Sequence, residues 1–226
     1  MTMRSITRFS LRSAGVLLAA ALLGSCASVA TPGHAASDAV AKSEIILIHG
    51  AGEGPETWAS EAARALAQTY GADGVSVIDW STASAQRLLA PERGYRLGRA
   101  LAPELSVPVT IIAHSAGAWL AQGLVDAHLE SGGVPEDIRL VLLDPFTARA
   151  WYRPFAGARQ LARGLEATMT YYTTLDSIPF TAGSVARGRT VNLDEALAHL
   201  EGSDPHWSVI DWYFVRALGT DPVVNR

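Results

Sequence analysis

The chain has 226 residues, of which 49% are apolar and 18% charged, which fits one globular domain and excludes a disordered chain or a repeat array. Its 18 Lys and Arg residues against 22 Asp and Glu give a formal net charge of -4. This balance excludes the strongly basic surface that binding to a phosphate backbone needs, so nucleic acid is not an expected partner.

Residues 1–25 have the pattern of an export signal. Three arginines precede an apolar run at 14–23, which is too short to span a bilayer as a mature anchor. The run ends in LGSC, whose cysteine is Cys26, and this ending resembles the lipobox of bacterial lipoproteins. The resemblance implies that Cys26 is lipidated and anchors an exported protein to a membrane of the cell envelope. The alternative is ordinary signal cleavage near Ala30 or Ala36, which would leave a periplasmic or secreted protein.

The export signal leads into a tether and one folded domain. Small residues dominate the segment 26–42, which predicts a flexible linker. We therefore expect a lipoprotein-type signal at 1–25, a tether at 26–42 and a single globular domain at 43–226. Since Cys26 is the only cysteine, this domain is expected to contain neither a disulfide nor a catalytic thiolate.

From residue 44 onward, short apolar runs alternate with longer helix-like stretches, which is typical of a parallel sheet with helices on both faces. The predicted strands are 44–48, 75–79, 107–113, 139–143 and 168–173, and the predicted helices are 56–70, 84–101, 116–129, 156–166 and 208–217. We predict a compact, doubly wound α/β fold with a mostly parallel sheet and a small cap or none. In such sheets, reactive groups collect at the carboxyl ends of the strands.

The first predicted strand ends in the glycine-rich sequence HGAG at 49–52. A turn of this kind can bring the backbone N–H of Ala51 to a reacting carbonyl, where the N–H of Ala116 would complete an oxyanion hole. His49 is interpreted as a turn-stabilising residue. The glycines match neither a dinucleotide fingerprint nor a phosphate-binding loop with its lysine, so no cofactor is expected.

The third predicted strand runs into AHSAG at 113–117, followed by a helix-like stretch. A serine on a sharp turn from strand to helix has a strained backbone, so the residues two positions away must be small. The turn also places the hydroxyl at a helix N-terminus, where free N–H groups favour developing negative charge. Ser115 is therefore a candidate nucleophile. The alternative is that Ser115 is only the N-cap of the helix.

These features resemble the α/β-hydrolase superfamily through the His49-Gly50 turn, the elbow around Ser115, and an acid and a histidine farther along the chain. Ala113 stands where most members have glycine, as it does in some lipases of the superfamily. The resemblance runs from about residue 44 to about residue 217. It implies a serine hydrolase that forms an acyl-enzyme and needs neither a cofactor nor a metal, and the scattered histidines lack metal-ligand spacing.

The superfamily places the catalytic histidine late in the chain, which leaves His128, His199 and His206. His128 falls within the helix after the elbow, and His199 has the helical spacing of a surface residue. His206 is expected in a loop directly before the last helix, where the superfamily presents its histidine. His206 is therefore the expected general base.

The resemblance leaves two candidates for the acid of the triad. Asp144 closes the fourth predicted strand and Asp176 follows the fifth. Most members use the later position, whereas a branch that resembles pancreatic lipase uses an Asp-Pro at the earlier one, as Asp144-Pro145 stands here. We predict Asp144 as the acid and keep Asp176 as the alternative.

The expected reaction is hydrolysis of carboxylic esters, as in esterases and lipases, on a small-molecule or lipid substrate. This expectation rests on the family resemblance, because the sequence does not define a pocket. Two alternatives remain open. The first is a catalytically inactive hydrolase fold that acts as a binding module of the cell envelope, and the second is an amidase or acyltransferase with the same triad.

Overall fold

The computed structural model describes residues 41, 43–149, 156–181, 185–199 and 203–220. The export signal, Cys26 and nearly all of the predicted tether lie outside the described residues, so the expectations about them stay predictions. Within the described part of the chain, each helix falls short of the length and apolar content needed to cross a membrane.

A sheet of six parallel strands forms the centre of the domain. Its order is β2-β1-β3-β4-β5-β6, and every neighbouring pair of strands is parallel. The strands are β1 (Ile45–Ile48), β2 (Val75–Ile78), β3 (Val109–His114), β4 (Ile138–Leu143), β5 (Thr168–Tyr172) and β6 (Arg189–Asn192).

Seven α-helices accompany the strands in the described residues. They are α1 (Ala59–Tyr70), α2 (Ser81–Ser84), α3 (Ala90–Leu101), α4 (Gly117–Glu130), α5 (Gly157–Gln160), α6 (Asp194–Leu197) and α7 (Pro205–Trp212), which a π-helical turn continues over Tyr213–Ala217.

Alternating side chains of the central strands feed two separate apolar cores. On one face, Ile46 and Ile48 of β1 pack into a core that α3 and α4 cover. On the other face, Ile45 and Leu47 join a core that α1 and α7 cover. Because both faces are covered, the central strands are apolar at nearly every position. The predicted α/β class with helices on both faces is confirmed.

All five predicted strands are present, with ends shifted by about a residue or two, which is the usual uncertainty of element boundaries. The sixth strand, β6, was not predicted. It lies at the edge of the sheet and its four residues are mostly exposed, so its sequence RTVN shows no apolar run.

Three helix predictions need correction. The predicted helix 84–101 is broken, because α2 ends at Ser84 and α3 begins only at Ala90, with Pro91 in its first turn. The predicted helix 156–166 is the single turn α5. The last helix begins at Pro205 rather than at 208, because Asp204 caps it by accepting the N–H of His206 at 3.0 Å. His206 therefore lies in the first turn of α7 and not in a loop before it.

The strand register determines which residues meet at the carboxyl edge of the sheet. Ile48 is paired with Ala113, His114 with Leu143, and Leu143 with Tyr171. The segments that follow β1, β3, β4 and β5 therefore leave the sheet side by side. These segments carry Ala51, Ser115, Asp144 and Asp176.

Candidate active site

Ser115 occupies the junction between β3 and α4 in a left-handed backbone conformation, with φ of 51°. Its N–H donates to the carbonyl of Leu143 at 3.0 Å, and its carbonyl accepts the N–H of Phe146 at 3.1 Å. A positive φ is costly for a residue with a side chain, and such strain concentrates at functional sites. The N-cap of α4 is Ala116, without a side-chain capping bond, so the hydroxyl of Ser115 is not used as a cap.

The turn after β1 lies directly against this junction. A Cβ on Gly117 would lie 2.5 Å from the carbonyl oxygen of His49, and a Cβ on Gly50 would lie 3.0 Å from the Cβ of Ser115. The small residue at 117 is therefore required by its contact with the β1 turn. This contact brings the predicted oxyanion turn next to the predicted nucleophile.

The two backbone amides predicted for the oxyanion hole are unused. Within the described residues, the N–H groups of Ala51 and Ala116 donate no hydrogen bond. The neighbouring amides are occupied, since Gly50 donates to Glu53 at 2.7 Å and Gly52 donates to Ser84 at 3.2 Å. Two free donors beside Ser115 are what a developing oxyanion would require.

His206 lies between both candidate acids. Its Nδ1 is 2.6 Å from Oδ2 of Asp144 and 3.3 Å from Oδ2 of Asp176, and all three side chains are almost completely buried. The structure thus brings the predicted acid and its alternative to the same ring nitrogen. Asp144 makes the shorter contact, which favours it as the partner of Nδ1.

The two carboxylates are held in different ways. Asp144 has a left-handed φ of 41°, and its Oδ1 accepts the N–H of Thr173 at 3.2 Å. Asp176 accepts the N–H of Ile178 at 2.8 Å and the hydroxyl of Thr181 at 2.8 and 2.9 Å. Asp176 therefore receives more hydrogen bonds, and its negative charge is the better stabilised of the two.

Because of this difference, the two carboxyl groups have different pKa values. Burial raises the pKa of Asp144 to about 6, even though His206 lowers it. Burial also raises the pKa of Asp176, but hydrogen bonds from His206, Asp144 and Thr181 outweigh it and bring the pKa to about 2. For His206, burial lowers the pKa, but the hydrogen bonds and charges of the two carboxylates outweigh it and raise the pKa to about 9.

The same three side chains are also the described residues that could hold a cation, since their ligating atoms lie within 4.8 Å of one another. In the present geometry, however, Nδ1 of His206 is within hydrogen-bonding distance of a carboxylate. A proton between His206 and Asp144 satisfies both groups, which is the arrangement that orients a catalytic imidazole.

Two buried residues of the site were missed in the sequence. Nδ1 of His114 lies 3.2 Å from Oε1 of Glu53, and the ring of His114 packs against the ring of His206 with a centroid distance of 4.5 Å. The sequence contained a signal for each of them, because His114 is next to the candidate nucleophile and Glu53 lies in the turn that supplies Ala51. Because His114 precedes Ser115 directly, this ring contact links the elbow to the imidazole of His206.

The other histidines lie where the sequence suggested. His49 is buried in the turn, where its carbonyl accepts the indole N–H of Trp80 at 2.8 Å. His128 lies in the last turn of α4 and contacts Asp137 at 2.8 Å, and His199 is exposed. None of these three contacts the cluster around His206 within the described residues.

Comparison with known proteins gives one family match. The chain matches the sequence profile of the Alpha/beta hydrolase family over residues 45–225. No curated protein matches the chain.

Solved structures that are similar to this chain at low sequence identity include a lipase and two thioesterases. Lipase B of Aspergillus fumigatus is 15% identical with a TM-score of 0.45, covering 70% of this chain and 46% of the lipase. YbtT, a type II thioesterase from the yersiniabactin pathway, is 12% identical with a TM-score of 0.43, covering 82% of this chain and 95% of YbtT. The NocB thioesterase domain is 15% identical with a TM-score of 0.40, covering 79% and 97%. The chain thus spans less than half of the lipase but nearly all of both thioesterase chains.

Proposed function

Because the chain belongs to the α/β hydrolase family, we propose that it is a serine hydrolase that cleaves carboxylic esters, with Ser115 as nucleophile, His206 as general base and Asp144 as the acid. The observation that carries the proposal is the meeting of two segments. Ser115 sits strained at the elbow, and the residue before it packs on the imidazole that Asp144 holds.

The proposed reaction begins when Nε2 of His206 takes the proton of the Ser115 hydroxyl as its oxygen attacks the ester carbonyl. The carbonyl oxygen becomes an oxyanion that the N–H groups of Ala51 and Ala116 receive. The alcohol leaves with the proton from His206, and the acyl group stays on Ser115. Water then attacks the acyl-enzyme, with His206 again taking the proton, and the carboxylic acid product is released as the Ser115 hydroxyl is restored. Asp144 accepts the Nδ1–H of His206 throughout and stabilises the imidazolium.

The surroundings of Ser115 support an ester of modest size or the end of a lipid. Between β4 and β5 the described residues form only the one-turn helix α5, which supports the expectation of a small cap. Phe146, whose N–H donates to the carbonyl of Ser115, packs edge-on against the half-exposed Phe180 at 6.2 Å. We propose these two rings as an apolar wall for the acyl group.

The proposal is tested with a fluorophosphonate probe and a panel of substrates. Wild-type protein should be labelled with loss of fluoride, and Ser115→Ala should not be labelled. Wild-type protein should also hydrolyse nitrophenyl esters, with turnover lost in Ser115→Ala. Protein that is folded but unlabelled would indicate an inactive binding module. Labelling without ester turnover, combined with cleavage of amides or transfer to an acceptor, would indicate an amidase or acyltransferase.

We also propose that the protein is exported and anchored in the cell envelope through a lipid on Cys26. The support is the lipobox-like LGSC at the end of the apolar run 14–23. The mass of the mature N-terminus tests this point. A mass that begins at a diacylated Cys26 supports the anchor, and a mass that begins after Ala30 or Ala36 shows ordinary cleavage.

A further inference from the structure

The proposed reaction leaves one buried carboxylate near Ser115 without a role. Glu53 lies in the turn after β1, and its side chain is 8% exposed. Its Oε2 accepts the N–H of Gly50 at 2.7 Å and the indole N–H of Trp58 at 3.3 Å, while its Oε1 lies 3.2 Å from Nδ1 of His114. Burying a carboxylate is costly unless it is paired, and the two N–H groups of Gly50 and Trp58 donate hydrogen bonds to Glu53.

One partner of Glu53 belongs to the proposed oxyanion turn. Gly50 is wedged between Glu53 and Ser115, because a Cβ on Gly50 would lie 2.3 Å from Oε1 of Glu53 and 3.0 Å from the Cβ of Ser115. The next residue is Ala51, whose N–H is free within the described residues. By holding the N–H of Gly50, Glu53 fixes the orientation of the peptide that precedes the proposed donor.

The other partner of Glu53 touches the proposed base. The ring of His114 is completely buried and packs against the rings of His206 at 4.5 Å and Trp207 at 5.4 Å. Burial lowers the pKa of His114, although the nearby Glu53 raises it, which disfavours a positive charge on the ring next to His206. Glu53 therefore contacts the ring that packs against one side of His206, while Asp144 and Asp176 contact Nδ1 of the same imidazole.

We infer that Glu53 is a positioning residue for the proposed serine hydrolase reaction, and that it aligns the Ala51 N–H through Gly50 and the His206 ring through His114. The inference rests on the proposed function. An oxyanion donor acts only at the distance and angle that the transition state needs, and displacements of about 1 Å can cost orders of magnitude in rate. A residue that only stabilises the fold would change the melting temperature and leave the rate of the folded enzyme unchanged.

The test compares Glu53→Ala, Glu53→Asp and Glu53→Gln. Glu53→Ala should lower kcat and the rate of fluorophosphonate labelling about 10²-fold, the size expected for losing one oxyanion donor, with little change in KM. Glu53→Asp keeps the charge but is too short to reach Gly50 and His114 together, so both rates should fall about tenfold, a smaller loss than for a lost donor. Glu53→Gln keeps the length and an acceptor for the Gly50 N–H, and should recover most of the loss.

Glu56→Ala is the matched control, since Glu56 is an exposed carboxylate of the same turn. His128→Asn is a second control, because it breaks a histidine–carboxylate pair remote from Ser115. Both should keep the wild-type kcat. If Glu53→Ala does not fold, Glu53→Asp decides. The inference is overturned if the folded Glu53→Ala or Glu53→Asp protein keeps the wild-type kcat and labelling rate. A wild-type protein that is not labelled at Ser115 would overturn the proposed function itself, and this inference with it.

Discussion

The nucleophile side of the site, formed by the turn after β1 and the β3–α4 elbow, is held together by backbone contacts. The proton-transfer side, formed by the ends of β4 and β5 and the start of α7, is held by side-chain contacts between distant segments. On the nucleophile side, Gly117 touches the backbone of His49 and Gly50 lies against Ser115. On the proton-transfer side, Asp144 and His206 are 62 residues apart in sequence.

This difference determines what each side tolerates. Close backbone contacts leave no space for a Cβ, so the nucleophile side is restricted in residue type at each position. A side chain can be contacted by more than one partner, and on the proton-transfer side two carboxylates lie close to the same Nδ1 of His206. We therefore expect substitutions of the closely packed glycines on the nucleophile side to affect folding, and substitutions on the proton-transfer side to affect rate and pH dependence.

The largest effect is expected from the acids. Asp144→Asn should lower kcat by about 10²–10⁴-fold, because the amide can no longer hold the imidazole in the required tautomer and charge state. Asp176→Asn should cost about tenfold or less, because the contact of Asp176 with Nδ1 is longer, at 3.3 Å. Steady-state kinetics on a nitrophenyl ester measures both. Near-normal turnover in Asp144→Asn, with a large loss in Asp176→Asn, would assign the acid to Asp176.

The second expected effect is a lower free energy of unfolding after a substitution at Gly117. Gly117→Ala should destabilise the fold by about 1–3 kcal/mol, because the new Cβ overpacks the β1 turn, at 2.5 Å from the carbonyl oxygen of His49. Alanine has a higher helix propensity than glycine, but this gain of at most about 1 kcal/mol does not offset the cost of the overpacked contact. The control is Gly74→Ala, whose Cβ would find its nearest atom at 3.5 Å and should change stability by less than about 0.5 kcal/mol. Chemical denaturation gives both values, and equal stabilities would argue against the close contact.

The third effect is a shift in pH dependence. His206 must be unprotonated to accept the Ser115 proton, so kcat/KM should rise with pH through the pKa of His206, about 9. Asp144→Asn removes a group that stabilises the imidazolium, so this limb should move to lower pH by about one to two units. The groups that face the imidazole are Asp144, Asp176 and His114, with Glu53 behind His114. A limb that stays in place in Asp144→Asn would show that Asp144 does not set this pKa.

The smallest effect is expected from His199→Ala. His199 is an exposed residue that the sequence already assigned to a surface, and its removal should leave kcat unchanged within about twofold, as for most surface substitutions. A large loss of kcat would mean that the proton-transfer side includes residues beyond the described cluster. The ester assay used for the acids measures this directly.

The two sides also differ in how far the sequence predicts them. The elbow at Ser115 and the turn at Ala51 were predictable because a left-handed φ and a missing Cβ restrict residue type locally. The order of Asp144 and His206 came only from the family resemblance. The sequence left Asp144 and Asp176 as alternatives, because their distances from His206 depend on how β4, β5 and α7 pack.

Other features were not predictable, or their signals were missed. The start of α7 was marked by Asp204-Pro205, a capping residue followed by proline at the first helical position, and this signal would have placed His206 inside the helix. The edge strand β6 carries no apolar pattern. The contact of Glu53 with His114 joins the turn after β1 to the end of β3 through buried side chains, and nothing in either local sequence specifies the partner.

The central claim is that His206 activates Ser115, so that the two sides act as one site. The most direct test is the rate of phosphonylation by a fluorophosphonate in wild type and in His206→Ala, with the modified residue located by peptide mass spectrometry. We predict modification at Ser115 in the wild type, and a rate in His206→Ala that is lower by about 10³-fold or more. Equal rates in the two proteins, or modification at another residue, would contradict the account.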